Sequence, residues 1–209
     1  MTSQQPTDSE PRIVLFAPIA SLRAVEGEWS SLAAIVVTDP ENEIPEDLRA
    51  AIRAAGTPLL KATVQAERAA GFDGLHLVSQ PGELRIARKE LPAGGMLGAG
   101  AARTRHAAME LGEAMPDYVL LGRIAGTDAD DRDIAVDDDL VIWWSTLFEL
   151  PCVAVAEDED SARRLALAGA DFIGLNRHVW KADDPASALR KIAGIIAEAS
   201  PREDAEAAG

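Results

Sequence analysis

The chain has 209 residues, 47% hydrophobic and 26% charged, which suits one domain with a sizeable core. A net charge of −15 argues against a general nucleic-acid surface or an anionic membrane face, while leaving room for a local basic pocket. A single cysteine, Cys152, excludes an internal disulfide, and no apolar stretch approaches the ~20 residues of a membrane span.

The polar start, residues 1–11, lacks the basic and apolar regions of a secretory signal and reads as a disordered tail; a cytoplasmic location is expected. Eight short apolar runs follow: Ile13–Ala17, Ala33–Thr38, Pro58–Ala62, Gly74–Ser79, Gly95–Gly100, Tyr118–Ile124, Cys152–Ala156 and Phe172–Asn176. Each is too short for a helix and too uniformly apolar for a half-exposed strand, so each predicts a strand buried on both faces. Helical patterns lie between them. Pro45 stands at a favoured first helical position before Glu46–Ile52. Arg103–Met115 and Ser161–Ala168 are Ala-rich and amphipathic. Asp137–Asp139 suits a helix N-terminus, and Trp143 and Trp144 follow it, one to pack on the sheet and the other to face outward or a partner. Asp184-Pro185 opens the last helix as N-cap and first residue, with Leu189, Ile192, Ile195 and Ile196 on one face. Residues 200–209 predict a second disordered tail, which leaves one domain over 12–199.

A phrase recurs along this order: Ala70-Gly71-Phe72-Asp73, Ala114-Met115-Pro116-Asp117 and Ala168-Gly169-Ala170-Asp171, each after an Ala-rich stretch and before an apolar run. Gly71 and Gly169 suit a left-handed helix C-cap. Helix, tight turn and buried strand in repetition predict an α/β fold, a compact (β/α)8 TIM barrel in a single domain. The competitor is a doubly wound open sheet, which carries fewer strands and often a Gly-rich turn after the first; here Phe16-Ala17-Pro18-Ile19-Ala20 has no glycine.

The order and wording of these segments resemble the thiamine phosphate synthase family and its TenI-like relatives, over about residues 12–199. The phrases that carry the resemblance are Gly56-Thr57-Pro58-Leu59-Leu60, Gly71-Phe72-Asp73-Gly74-Leu75-His76-Leu77, Asp117-Tyr118-Val119-Leu120-Leu121-Gly122 and Ala168-Gly169-Ala170-Asp171, with the terminal Ala182-Asp183-Asp184-Pro185. The resemblance implies a transferase in thiamin biosynthesis. A thiazole phosphate nitrogen displaces pyrophosphate from a pyrimidine pyrophosphate, with Mg²⁺ on carboxylates and cations around the phosphates. Positioning and charge carry such a reaction.

At the strand ends the sequence departs from the family's wording. The family's Q-L-R-x-K becomes Val36-Val37-Thr38-Asp39, and its I-N-D becomes Leu60-Lys61-Ala62, without the Mg²⁺-binding Asp. H-L-G-Q-x-D keeps His76 and Leu77 but continues Val78-Ser79-Gln80-Pro81, with Glu83 beyond a turn. G-x-S-x-H becomes Gly98-Ala99-Gly100-Ala101-Ala102. The phosphate-holding Lys of the sixth segment is absent from Gly122-Arg123-Ile124-Ala125, and two glycines of the seventh are replaced by Ala156 and Glu157. The resemblance thus implies a barrel that binds a small phosphorylated molecule at the strand C-termini with the usual catalytic residues largely lost. The alternatives are an active Mg²⁺-dependent synthase with substitute residues, or a non-catalytic interaction protein.

Candidate residues follow from the strand ends. Arg123 and Arg177 could clamp a phosphate bidentately, with Asn176, Lys61 and Ser79 as further ligand-binding candidates. The alternative for the two arginines is pairing with nearby acids such as Glu157 or Asp128. His178 at a strand end and His76 in mid-strand are the acid–base candidates, His76 competing with a plain hydrogen-bonded interior role. Asp39 and Glu157 are the candidate Mg²⁺ carboxylates, although the motifs do not support the metal. The acidic run from Asp128 to Asp139 has the oxygens for a hard cation but no calcium-loop spacing. No nucleic acid or membrane partner is expected; the resemblance implies that a homodimer is possible.

Overall fold

The computed structural model describes residues 11–124 and 135–199. The predicted terminal tails and most of the acidic run, Asp128 to Asp133, lie outside the described residues. Eight parallel strands close into a barrel in chain order: β1 (Arg12–Ala17), β2 (Ala34–Val37), β3 (Leu59–Thr63), β4 (Gly74–Val78), β5 (Met96–Ala102), β6 (Tyr118–Leu121), β7 (Cys152–Val155) and β8 (Phe172–Leu175), with β8 pairing back to β1. All eight lie inside or within two residues of the predicted runs. The register of β5 shifts against β6 between Ala99 and Ala102, a local irregularity of the kind that re-aims a strand end.

Alternation along each strand divides the apolar side chains into two sets. Val14, Phe16, Val36, Leu60, Tyr118, Leu120, Val153 and Val155 fill the lumen, together with Ile124. Leu15, Ile35, Leu59, Leu75, Leu77, Leu97, Val119 and Ile173 face outward, where the helices cover them. The lumen holds the rings of Phe16, His76 and Tyr118, and a glycine makes room for the last of them. A Cβ on Gly98 would sit 2.1 Å from Cζ of Tyr118, so glycine is what lets that ring lie across β5.

The covering helices are α1 (Glu46–Ala54), α2 (Pro81–Glu90), α3 (Arg105–Gly112), α4 (Asp138–Leu147), α5 (Glu159–Leu167), the short α6 (Arg177–Trp180) and α7 (Pro185–Ala199). Side-chain caps define most of their starts. Thr104 accepts the N–H of Ala107, Asp137 that of Asp139 and Asp184 that of Ser187. Asp158 and Ser161 form a reciprocal capping box, which starts α5 two residues before the predicted Ser161. Pro45 is the N-cap residue of α1 and not its first helical residue. Trp144 is buried, its indole N–H on the Leu150 carbonyl at 2.7 Å, while Trp143 is half-buried under Arg105 at 5.1 Å.

Two connections depart from the helix-in-every-gap reading. Ile19–Ser31 is a 3-10 segment kinked at Val25. The first copy of the repeated phrase follows no helix: the chain from Val64 to Gly71 runs back in bends. This stretch is pinned by Glu83, whose carboxylate accepts the N–H of Ala66.

The repeated phrase has one mechanical role. Asp73, Asp117 and Asp171 each accept the N–H of the first or second residue of the preceding strand: Leu59 at 2.8 Å, Leu97 at 2.6 Å and Cys152 at 2.9 Å. The residue two before each Asp has positive φ: Gly71 at 80°, Met115 at 52° and Gly169 at 89°. Three odd strands are thereby clasped to their even successors at the N-terminal end of the barrel.

Candidate functional site at the β7–β8 end

Parallel strands place all their C-terminal ends on one side, the face on which TIM barrels carry their sites. The sequence candidates are distributed unequally over it.

His76 lies inside the lumen, 1% exposed. Its Nδ1 shares a 2.9 Å hydrogen bond with the Tyr118 hydroxyl, and the Phe16 ring meets it edge-on. Nε2 has no partner among the described residues. Burial pulls its pKa down to about 4 and pushes that of Tyr118 well up, so both stay neutral at physiological pH. This geometry is the hydrogen-bonded interior role. Cys152 is likewise buried, and loss of solvent raises its thiol to about 12, with the Asp171 charge adding to the effect.

Lys61 shares the outward face of β3 with Leu59 and Thr63 and pairs with Glu67 at 3.1 Å. Burial works against the charge on Glu67, but hydrogen bonds from Thr63 and Lys61 and the Lys61 charge bring its pKa below the usual value. Asp39 ties two loops together, accepting the N–H of Ile19 at 2.8 Å and the amide of Asn42 at 3.0 Å through its two oxygens. Ser79 lines a small pocket of about 270 Å³ between the ends of β4 and β5, on the side opposite β8. Arg123 is buried just past the end of β6.

Glu157, Arg177 and His178 are brought together. They line one cleft of about 730 Å³ between the N-terminus of α5, the start of α6 with the residues that follow it, and the first turns of α7. Asn176, buried, directly precedes α6. Trp180 fixes α6 against the barrel, its indole N–H donating to the Phe16 carbonyl at 2.9 Å. Lys181, Lys191, Glu159 and Asp184 complete the charged lining; the sequence reading placed Asp184 only as a helix N-cap and missed the other three. Those three come from α5, the end of α6, and α7, whose spacing follows no period; the packing of α5 and α6 on α7 joins them. Asp158, beside the cleft, is held below the usual carboxylate range chiefly by the backbone N–H and hydroxyl of Ser161.

The candidate carboxylates Asp39 and Glu157 are not brought together into a site for the Mg²⁺ of a synthase. Asp39 has both oxygens committed to protein donors, β8 and β1 stand between it and the β7 end that carries Glu157, and no cluster of three metal-ligating side chains occurs among the described residues.

The family model described as thiamine monophosphate synthase (TMP-TENI) matches residues 40–194. The chain belongs to that family. A thiamine-phosphate synthase of Erythrobacter litoralis is 38% identical over 130 residues, 61% of each chain. One of Natronomonas pharaonis is 31% identical over 166 residues, 76% of each. The chain thus spans about 61% of the length of the Erythrobacter relative. Among solved structures, thiamine phosphate pyrophosphorylase from Pyrococcus furiosus superposes with a TM-score of 0.72 at 19% identity, covering 93% of this chain and 99% of that one. A 3-hexulose-6-phosphate synthase from Salmonella typhimurium superposes at 0.67 and 18% identity, covering 90% and 99%. The two carry different names on one barrel, so these superpositions speak for the fold alone. No described helix is long and apolar enough to cross a membrane.

Proposed function

We propose that this member of the thiamine monophosphate synthase family binds a small phosphorylated molecule at the ends of β7 and β8 and has lost the synthase reaction. The observation that carries this reading is the convergence of Arg177, His178, Lys181 and Lys191 on one cleft, in a chain whose net charge is −15. Glu157, Glu159 and Asp184 share the lining, so the basic groups act on an anion by direct contact and not by a net positive field. The cleft volume, about 730 Å³, falls within the usual range of small-ligand pockets.

The loss of synthesis rests on the rest of the rim. Pyrophosphate departure needs its developing charge held by a metal and cations as the C–O bond breaks and the thiazole nitrogen takes its place. Asp39 is spent on loop contacts, Lys61 faces outward, and the third and fourth strands end without the expected carboxylates.

The test is thermal melting of the full chain with thiazole phosphate, pyrimidine phosphate and inorganic phosphate, repeated on Arg177→Met. A ligand at about 100 times its Kd adds about 2.7 kcal/mol to stability. That is roughly 5–10 °C for a domain of this size. A shift lost in Arg177→Met supports the reading; no shift with any phosphorylated compound overturns it.

A further inference from the structure

The cleft contains an anion of its own, placed among its basic groups. Glu159, the first residue of α5, points its carboxylate across the cleft. One oxygen lies 2.8 Å from Nζ of Lys191 on α7, and the other lies 3.9 Å from Nε2 of His178 on α6. Lys181, which follows α6, lines the same cleft and makes no ion pair among the described residues. The Glu159 carboxylate therefore bridges basic groups of two separate helices, in a lining that also carries the carboxylates of Glu157 and Asp184.

That arrangement is weakly held. Glu159 and His178 are about one-third exposed and Lys191 nearly two-thirds, and ion pairs so open to solvent contribute little. An oxyanion with more oxygens would engage Lys191, His178 and Lys181 together, which one carboxylate tethered to α5 does not. The N-terminus of α7 is already capped by the Asp184 carboxylate, which accepts the Ser187 N–H and adds its own charge to the lining.

The geometry points to an exchange site, in which Glu159 is an internal stand-in for an oxyanion of the ligand. The incoming phosphate or carboxylate takes Lys191, Lys181 and His178, and the Glu159 carboxylate swings out to solvent. The inference rests on the proposed β7–β8 ligand site and adds to it the group that competes with the ligand. Glu159 then sets a threshold: only anions able to outbid a local carboxylate occupy the cleft.

Calorimetric titration of the full chain at low ionic strength tests this, with inorganic phosphate in one arm and succinate in the other. Exchange predicts that Glu159→Gln binds phosphate roughly tenfold more tightly than the parent chain, and Lys191→Met roughly tenfold more weakly, the scale of one charge-assisted contact. Lys191→Arg, which keeps the charge, retains binding and guards against a loss caused by misfolding. Binding of phosphate alone assigns a phosphoryl ligand, and equal binding of succinate assigns oxyanions generally; either supports exchange. Unchanged or weaker phosphate binding in Glu159→Gln overturns it. If binding is lost only in Arg177→Met, the exchange fails while the β7–β8 ligand reading stands. If no variant binds phosphate, the exchange also fails, and the melting experiment with organic phosphates still judges the ligand reading by itself.

Discussion

The two ends of this barrel are built on different rules. At the N-terminal end one device is used three times: a residue of positive φ, then an Asp two positions on, clasping the start of the preceding strand through Asp73, Asp117 and Asp171. At the C-terminal end no device repeats. Asp39 clips two loops, Lys61 faces outward to Glu67, Ser79 lines a small pocket, and Arg177, His178, Lys181 and Lys191 gather at one cleft. Repetition serves stability, because three strand pairs, β3–β4, β5–β6 and β7–β8, are closed in the same way. Singular placement serves a site, because a ligand has one shape. The fold of a barrel therefore does not decide what its mouth holds.

The comparison can be broken most forcefully inside the lower lumen. Gly98→Ala would force a Cβ to 2.1 Å from the Tyr118 ring, and overpacking of that kind costs about 3 kcal/mol. Denaturant unfolding should show it as a lowered midpoint at unchanged slope; a neutral result would mean the lumen is looser than described. His76 tests the middle of the barrel. Its imidazole is neutral in the fold down to a pKa of about 4, while the unfolded chain takes up a proton near 6.5. The contribution is therefore whole above pH 6.5 and is lost as pH falls from 6.5 to about 4, a total of about 3 kcal/mol. Unfolding free energy measured across that window should fall accordingly, and less steeply in His76→Gln, which does not titrate.

The two ends themselves are compared by a matched pair. Asp171→Ala leaves the Cys152 N–H without its acceptor and should cost about 1–2 kcal/mol. Glu157→Gln, exposed at the opposite end, should stay within about 0.5 kcal/mol. Equal effects would erase the distinction between a structural end and a site end. The smallest expected effect is a gain. Met115 holds φ 52° while 78% exposed, so Met115→Gly relieves a left-handed backbone without losing burial and should stabilise by about 0.5–1 kcal/mol, read from thermal melting.

The same contrast decides what could be read from sequence. The strands were legible because each is apolar on both faces, and their number identified the barrel. The Asp clasps were visible as a repeated phrase, although their hydrogen bonds were not. The helix starts at Asp137 and Asp184 were legible from capping chemistry alone, and so was the interior, hydrogen-bonded alternative for His76. The open return between β3 and β4 was hidden, since Ala66, Ala69 and Ala70 suggest a helix, while the contact that pins it, Glu83 to the Ala66 N–H, crosses from another element. The cleft was half legible: Glu157, Arg177 and His178 follow predicted strands, but Glu159 and Lys191 meet through the packing of two helices. The outward face of Lys61 depended on strand register, where one residue reverses a side chain.

The central claim is that the synthase reaction is gone while the barrel and its anion cleft remain. The direct measurement is incubation of the folded full chain with hydroxymethylpyrimidine pyrophosphate, thiazole phosphate and Mg²⁺, with mass-spectrometric detection of thiamine phosphate. The account predicts no product above a protein-free control from a chain that still shows a melting shift with a phosphorylated ligand. Mg²⁺-dependent product would contradict it and return Asp39 and Glu157 to the list of metal carboxylates.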